Sequence, residues 1–169
     1  PSTEPSLSPW FTVWLTLLIV SIVAGILFSL LSFRFVVARA VISPMVTVLR
    51  ATPVASFIIL VYVMIRWNDL PVNLVSVIIV VIMVMPIVYN NLLTGYSSFD
   101  KQLDEVAVIY DFSLGKKIAA LWFPQIKPYA AAAATTSLGL AWKAGIAAEV
   151  ICGLSNTIGK YLADAKTNL

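Results

Sequence analysis

From Trp10 to Phe33 the chain runs for about 24 residues without a charged side chain. As a helix, a stretch of that length and polarity covers a hydrocarbon core of about 30 Å. Trp10 and Trp14 at its start suit an interfacial aromatic belt. Ser21, Gly25, Ser29 and Ser32 recur at spacings of four, four and three, which collects them on one helix face. Small residues on one face let another backbone approach closely. The bland alternative, filler facing lipid, leaves that periodicity without a cause.

Composition extends the constraint to the whole chain. Of 169 residues 60% are hydrophobic, 11% are charged, and the mean hydropathy is +0.96. A soluble domain carries about 25% charged residues. The sequence therefore predicts an all-α membrane protein, a multi-span helical bundle, with spans at about 10–33, 53–67, 72–93 and 128–152. The segment between Arg34 and Arg50 is apolar but interrupted, and reads as a helix near the interface ending at Ser43-Pro44. The second span is short, so it is expected to begin upstream within 44–52 or to be covered by protein. Arg66-Trp-Asn-Asp-Leu-Pro71 reads as a turn, and Pro86 as an interruption of the third span. Asn90 and Asn91 are expected to turn inward or reach the interface. The fourth span is rich in Ala, Thr, Ser and Gly, and holds Lys143 and Glu149. Ionisable groups inside a span point to a transport pathway. The alternative for each is a structural partner or a head group snorkelling to the interface.

Several functions are disfavoured. There is no His, which removes the commonest metal ligand and general base. The single Cys152 forms no internal disulfide. The net charge of +3 comes with no Lys/Arg-rich run, so no nucleic-acid partner is indicated. No phosphate-cradling G-x-x-x-x-G-K-[ST] is present, so any ATP chemistry belongs to another subunit. No cofactor is called for, and no enzyme. The opening PSTEPSLSP lacks the basic region of a signal peptide, and both ends read as cut.

One stretch stands apart, Phe99 to Tyr129, where Asp100, Asp104, Glu105 and Asp111 mix with Lys101, Lys116, Lys117 and Lys127. It reads as two short helices joined by a turn at Asp111-Phe-Ser-Leu-Gly115. The acids load the first turns of the first helix, where its dipole favours them. Leu103, Val106, Ala107 and Tyr110 give that helix an apolar face, expected to meet a partner. The second helix runs from about Lys116 to Pro124, which should kink or end it. Arg34, Arg39 and Arg50 follow the first span and these lysines follow the third, so both loops are expected on the cytoplasmic side.

Glu105-Val-Ala107, three residues, Asp111, nine residues, then Leu-Trp-Phe-Pro124 resembles the EAA loop of ABC-importer permeases, whose pattern is E-A-A, three residues, Gly, nine residues, I-x-L-P. Asp111 departs from the family's Gly, although Asp enters the left-handed region more readily than most residues. The resemblance covers roughly Thr12 to Leu169. It implies a type I permease of the bacterial inner membrane, multi-pass, with further helices beyond both ends. It implies that Glu105, Ala107, Asp111, Gly115 and Pro124 form an ATPase-coupling loop at about 97–127. Its implied partners are ABC ATPase subunits, a second permease subunit (a homodimer being the expectation), an extracytoplasmic solute-binding protein and the lipid bilayer. Arg50-Ala-Thr-Pro53 and Gly139-Leu-Ala-Trp-Lys-Ala-Gly-Ile-Ala-Ala-Glu149 look like the branch that imports nitrate, sulfonates, taurine or bicarbonate. The competing class is an ion-coupled secondary transporter or channel using Lys143 and Glu149.

Overall fold

In the computed structural model the described residues are 9–153 and 157–167, with the backbone alone described for 9–14 and 17. The expectations for the opening segment 1–8, for the belt side chains of Trp10 and Trp14, and for 154–156 lie outside them. Among the described residues all regular structure is helical. The order is α1 (Pro9–Arg34), α2 (Val36–Ala51), α3 (Val54–Trp67), α4 (Leu74–Ser97), α5 (Lys101–Ile109), α6 (Leu114–Lys117), a π turn (Ile118–Trp122), α7 (Phe123–Cys152) and α8 (Ile158–Thr167).

Helix α4 is the axis of the bundle and packs most extensively against α7 and α1. Its apolar residues occur on all sides, as a helix enclosed by other helices requires, and Val75, Ile79, Val80, Val84, Val88 and Tyr89 are buried. By length and composition α4 alone is long and apolar enough to cross a membrane among the described residues, and α2 with α3 meets that test only as a pair.

The small-residue face of α1 lies against α4. Ser21, Ser29 and Ser32 are buried, and a Cβ on Gly25 would sit 2.6 Å from Val88 Cβ and 3.1 Å from the Met85 carbonyl oxygen. Tyr89 donates its hydroxyl to Ser32 Oγ at 3.1 Å, satisfying a buried phenol that apolar packing alone would strand.

Three expectations need correction, each at a proline. Helix α2 does not end at Ser43-Pro44 but continues through Pro44 to Ala51. It stops where Thr52 takes an extended conformation (φ −80°, ψ 136°), which the proline after it favours. Of the two alternatives for the short second span, one continuous helix from upstream does not hold, because α2 and α3 meet at 100° across Thr52-Pro53, whereas α3 is partly covered by protein at Ile58, Val61 and Ile65. Pro86 does not interrupt α4; the helix runs through it, with the Asn90 and Asn91 amides donating to the Pro86 and Ile87 carbonyls at 3.0 and 2.9 Å. An interior proline costs about 3 kcal/mol in an isolated helix, a penalty that burial on several sides offsets here. After the undescribed 154–156 the chain carries α8, with Lys160 N–H donating to Thr157 Oγ1 in its first turn and Lys160 paired to Asp164 at 3.4 Å. Ile158, Tyr161 and Leu162 follow helical spacing, a signal that was available in the sequence.

The two ends of the bundle differ. At one, Phe33 of α1 contacts Tyr96 of α4 (ring centroids 5.3 Å) and Phe99, and Phe99 stacks on Trp122 at 6.2 Å. At the other, Ile65 of α3, Val75 of α4 and Ala148 of α7 share one apolar cluster. Arg34 and the polar loop thus lie at the same end.

Candidate functional site: a clasped loop and a mid-bundle cavity

The loop begins with a conventional cap. Asp100 accepts a hydrogen bond from Gln102 N–H at 2.8 Å and starts α5. The helix ends in a left-handed turn. Asp111 has φ +52°, with Asp111 N–H donating to Val108 O at 3.2 Å and Phe112 N–H to Ala107 O at 2.9 Å. That pairing is the Schellman arrangement, whose left-handed residue is usually glycine. The sequence-predicted turn is present, and Asp111 sits at its left-handed position.

The chain then enters α6 and the π turn, in which Phe123 N–H donates to Ile118 O. The extra residue in that turn shifts the register just before Pro124, whose nitrogen has no proton to offer. Pro124 therefore neither ends the helix nor breaks it; it lies in the first turn of α7, which continues through Pro128 as well. Gly115 lies in α6, and a Cβ there would meet open space.

Two side-chain clasps fix α5 against the start of α7. Trp122 Nε1 donates to Asp104 Oδ1 at 3.1 Å, and Lys117 Nζ lies 3.1 Å from the same oxygen. The Trp122 hydrogen bond, and after it Lys117, hold the Asp104 carboxyl below its usual range, so it is charged at neutral pH. Asp100 N–H donates to Gln125 Oε1 at 2.9 Å, while Gln125 Nε2 returns to Leu121 O at 3.1 Å. Gly95 allows the approach at the root of the loop, since a Cβ there would lie 2.6 Å from Ile126 Cδ1 and 2.9 Å from Tyr129 Cγ. The sequence reading missed this clasp. Asp104 and Trp122 are far apart along the chain, and no local periodicity links them.

Of the face expected to meet a partner, Leu103, Val106 and Tyr110 are exposed, and Ala107 alone departs from it. Ala107 is 2% exposed and packs inward. Tyr110 (71%) continues into a more exposed apolar tip with Val108, Ile109 (77%) and Leu114 (76%), clustered around the Asp111 turn. Glu105 is exposed on α5.

In α7, Lys143 and Glu149 are not brought together. Lys143 is exposed. Glu149 is buried, and its Oε2 accepts from Gly159 N–H of α8 at 2.9 Å. Gly159 is needed for that approach, since its Cβ would fall 2.5 Å from Glu149 Cβ. Helix α7 closes on Gly153 at φ +62°, whose N–H donates to Glu149 O.

A cavity of about 280 Å³ opens beside Pro86, at the elbow between α2 and α3. Its polar lining comprises Arg50, Thr52, Asn91 and Thr136, and its apolar lining includes Ile82 and Leu140. Among the described residues there is no grouping of acidic, His or Cys side chains that suits a metal ion.

A helical bundle around one apolar axis, with a clasped polar loop at one end and a cavity at mid-depth, has the make-up of a membrane-transport subunit. A family model described as binding-protein-dependent transport system inner membrane component matches residues 8–168. The chain belongs to that family: it is an inner-membrane permease component of an ABC transporter, a family of transport components and not a typical enzyme family. No curated protein matches it.

Proposed function

We propose that this chain is a multi-pass, type I permease subunit of an ATP-driven importer in a bacterial inner membrane. Two permease subunits, a homodimer in the simplest case, form the solute pathway between them. ATPase subunits dock on the 97–127 loop, and an extracytoplasmic binding protein delivers solute to the opposite face. The solute class is a small anion such as nitrate, a sulfonate, taurine or bicarbonate. The observation that carries the reading is the loop. Two clasps and a left-handed turn hold α5 at one angle to α7 and leave Ile109, Tyr110 and Leu114 uncovered at the tip. A force applied there passes into α7 as a rigid-body displacement. Along α7, Ala132, Thr136 and Gly139 are exposed, and nothing lies within 4 Å of a Cβ on Gly139. A stripe of small side chains of that kind admits a second subunit closely.

The direct test is Ile109→Glu, assayed by pull-down of the ATPase subunit from detergent and by uptake in cells. Burying an unpaired carboxylate at the contact weakens docking by several kcal/mol, so retention of the ATPase and uptake both fall to background. Because Ile109 is exposed, the variant inserts and elutes like the parent. Undiminished pull-down would remove this face from the interface.

Orientation is checked separately. A cysteine at Lys116 or Arg39 reacts with an impermeant thiol reagent only from the cytoplasmic side, and one at Asp69 only from outside. Labelling of position 116 in intact cells would reverse the topology and take the loop away from any cytoplasmic ATPase.

A further inference from the structure

The cavity at the α2–α3 elbow presents an exposed cation that no ion pair among the described residues neutralises. Arg50 is on its wall, no acidic side chain lines it, and the ion pairs among the described residues are Lys117–Asp104 and Lys160–Asp164. Around Arg50 stand two hydroxyls and a carboxamide, those of Thr52, Thr136 and Asn91. The Thr52 hydroxyl donates to Val48 O and the Asn91 amide to Ile87 O, so both groups are held in place.

The cavity lies at mid-depth. At about 1.5 Å per residue, Asn91 is roughly 10 Å and Pro86 roughly 18 Å from the Ser98 end of α4. By the same rise, Thr136 is roughly 20 Å along α7 from Phe123. Thr136, Leu140 and Lys143 are spaced as i, i+4 and i+7, so Lys143 continues the cavity-lining stripe roughly 10 Å farther from the loop end. The bland account of Arg50 is that it complements the C-terminal dipole of α2. That account explains its place in the last turn, but not the polar cavity built around it or the second cation on the same stripe.

We propose that this cavity is a subsite for a small oxyanion on the transport pathway, with Arg50 carrying the charge complement and Asn91 and Thr136 ordering the oxygens. An unpaired cation at membrane depth selects an anionic partner, and a planar guanidinium matches oxyanion geometry with paired hydrogen bonds. About 280 Å³ accommodates such an ion with a few waters of about 30 Å³ each. The proposal rests on the permease reading and names the residue that defines its solute class. It moves the principal pathway cation from Lys143 to Arg50, with Lys143 placed farther along the route.

The test uses the full chain, purified with its ATPase subunit in phosphatidylcholine nanodiscs and carrying Thr136→Cys and Cys152→Ser. Alkylation by uncharged N-ethylmaleimide is timed while gluconate is replaced mole for mole by nitrate or methanesulfonate. The small oxyanions are expected to slow alkylation in the Arg50 protein. In Arg50→Gln the concentration needed should rise by about tenfold or more, the loss expected for a charge-assisted hydrogen bond. Arg50→Lys keeps the charge and should fall between the two, which separates loss of the ion from loss of the fold.

Protection by neither anion, or equal protection in Arg50→Gln, overturns the subsite. Slow alkylation on adding phosphatidylglycerol without free oxyanion identifies a lipid headgroup as the occupant and also overturns it. ATPase retention on the same column reports on the permease reading independently.

Discussion

Asp111→Val is expected to insert into the membrane normally and to abolish ATPase capture and uptake, while Asp111→Gly retains both. The backbone at this position has φ +52°, and the two hydrogen bonds that end α5 depend on it. A non-glycine residue there already carries about 1–2 kcal/mol of strain. A β-branched side chain adds to it, because both γ carbons crowd the adjacent carbonyl. Glycine removes the strain at an entropic cost below about 1 kcal/mol, so the two substitutions move stability in opposite directions at one residue. The damage from valine is local. Asp104–Trp122 and Asp100–Gln125 still tie α5 to α7, while the tip that carries Ile109, Tyr110 and Leu114 swings away. The comparison needs pull-down, uptake and a gel-filtration profile for the three proteins. Equal pull-down by the valine variant would show that the tip angle is irrelevant to docking.

The sequence alone pointed to Ala107→Glu as the disruption of the partner face. With Ala107 2% exposed, that substitution buries a carboxylate inside the loop, and its failure would report on the loop's own folding. The test of docking therefore moves to an exposed residue at the tip, Ile109.

The second large effect is at the α1–α4 contact. Gly25→Leu should sharply lower the yield of monodisperse protein and its thermal unfolding midpoint in detergent. Even a single Cβ would lie 2.6 Å from Val88 Cβ and 3.1 Å from the backbone oxygen of Met85. The side chain of Val88 can give way, but the carbonyl belongs to a buried helix and cannot. Overpacking of this kind costs about 1–3 kcal/mol where side chains can yield, and more where they cannot. The separation of α1 from α4 would also strand the Tyr89 hydroxyl that now meets Ser32. Gly25→Ala should fall between parent and Leu, and Val88→Ala should restore part of the loss in the Ala variant, because the two sites touch and their effects do not add. An unaltered midpoint for Gly25→Leu would mean that α1 is not held against α4 by this face.

Features set by adjacent residues or by one helix period were legible in the sequence. The Ser21–Gly25–Ser29–Ser32 stripe specified both the burying face of α1 and the closeness of its contact, because only a face without bulk lets two backbones meet. The turn at Asp111 followed from its place between two helical patterns, and its left-handed residue from the resemblance, whose pattern has Gly there. The same local rules misjudged Pro44, Pro86 and Pro124, where propensity argues for a break. The missing hydrogen bond is a fixed local penalty of about 3 kcal/mol; at the buried Pro86 the packing that offsets it comes from helices distant in sequence, and at Pro124 the π turn and a place in the first helical turn remove the conflict.

Distance along the chain is also why the Asp104–Trp122–Lys117 clasp, the inward turn of Ala107 and the Glu149–Gly159 contact were invisible. Each depends on the angle between two elements, which no residue encodes alone. Arg50 shows the division most clearly. In the sequence it was one of three bases assigned to the cytoplasmic end, whereas the 100° turn after Ala51 and the packing of α2 on α4 carry it to mid-depth beside Asn91 and Thr136. Charge and residue type were fixed by the sequence; the surroundings that give the charge a function were decided by tertiary packing.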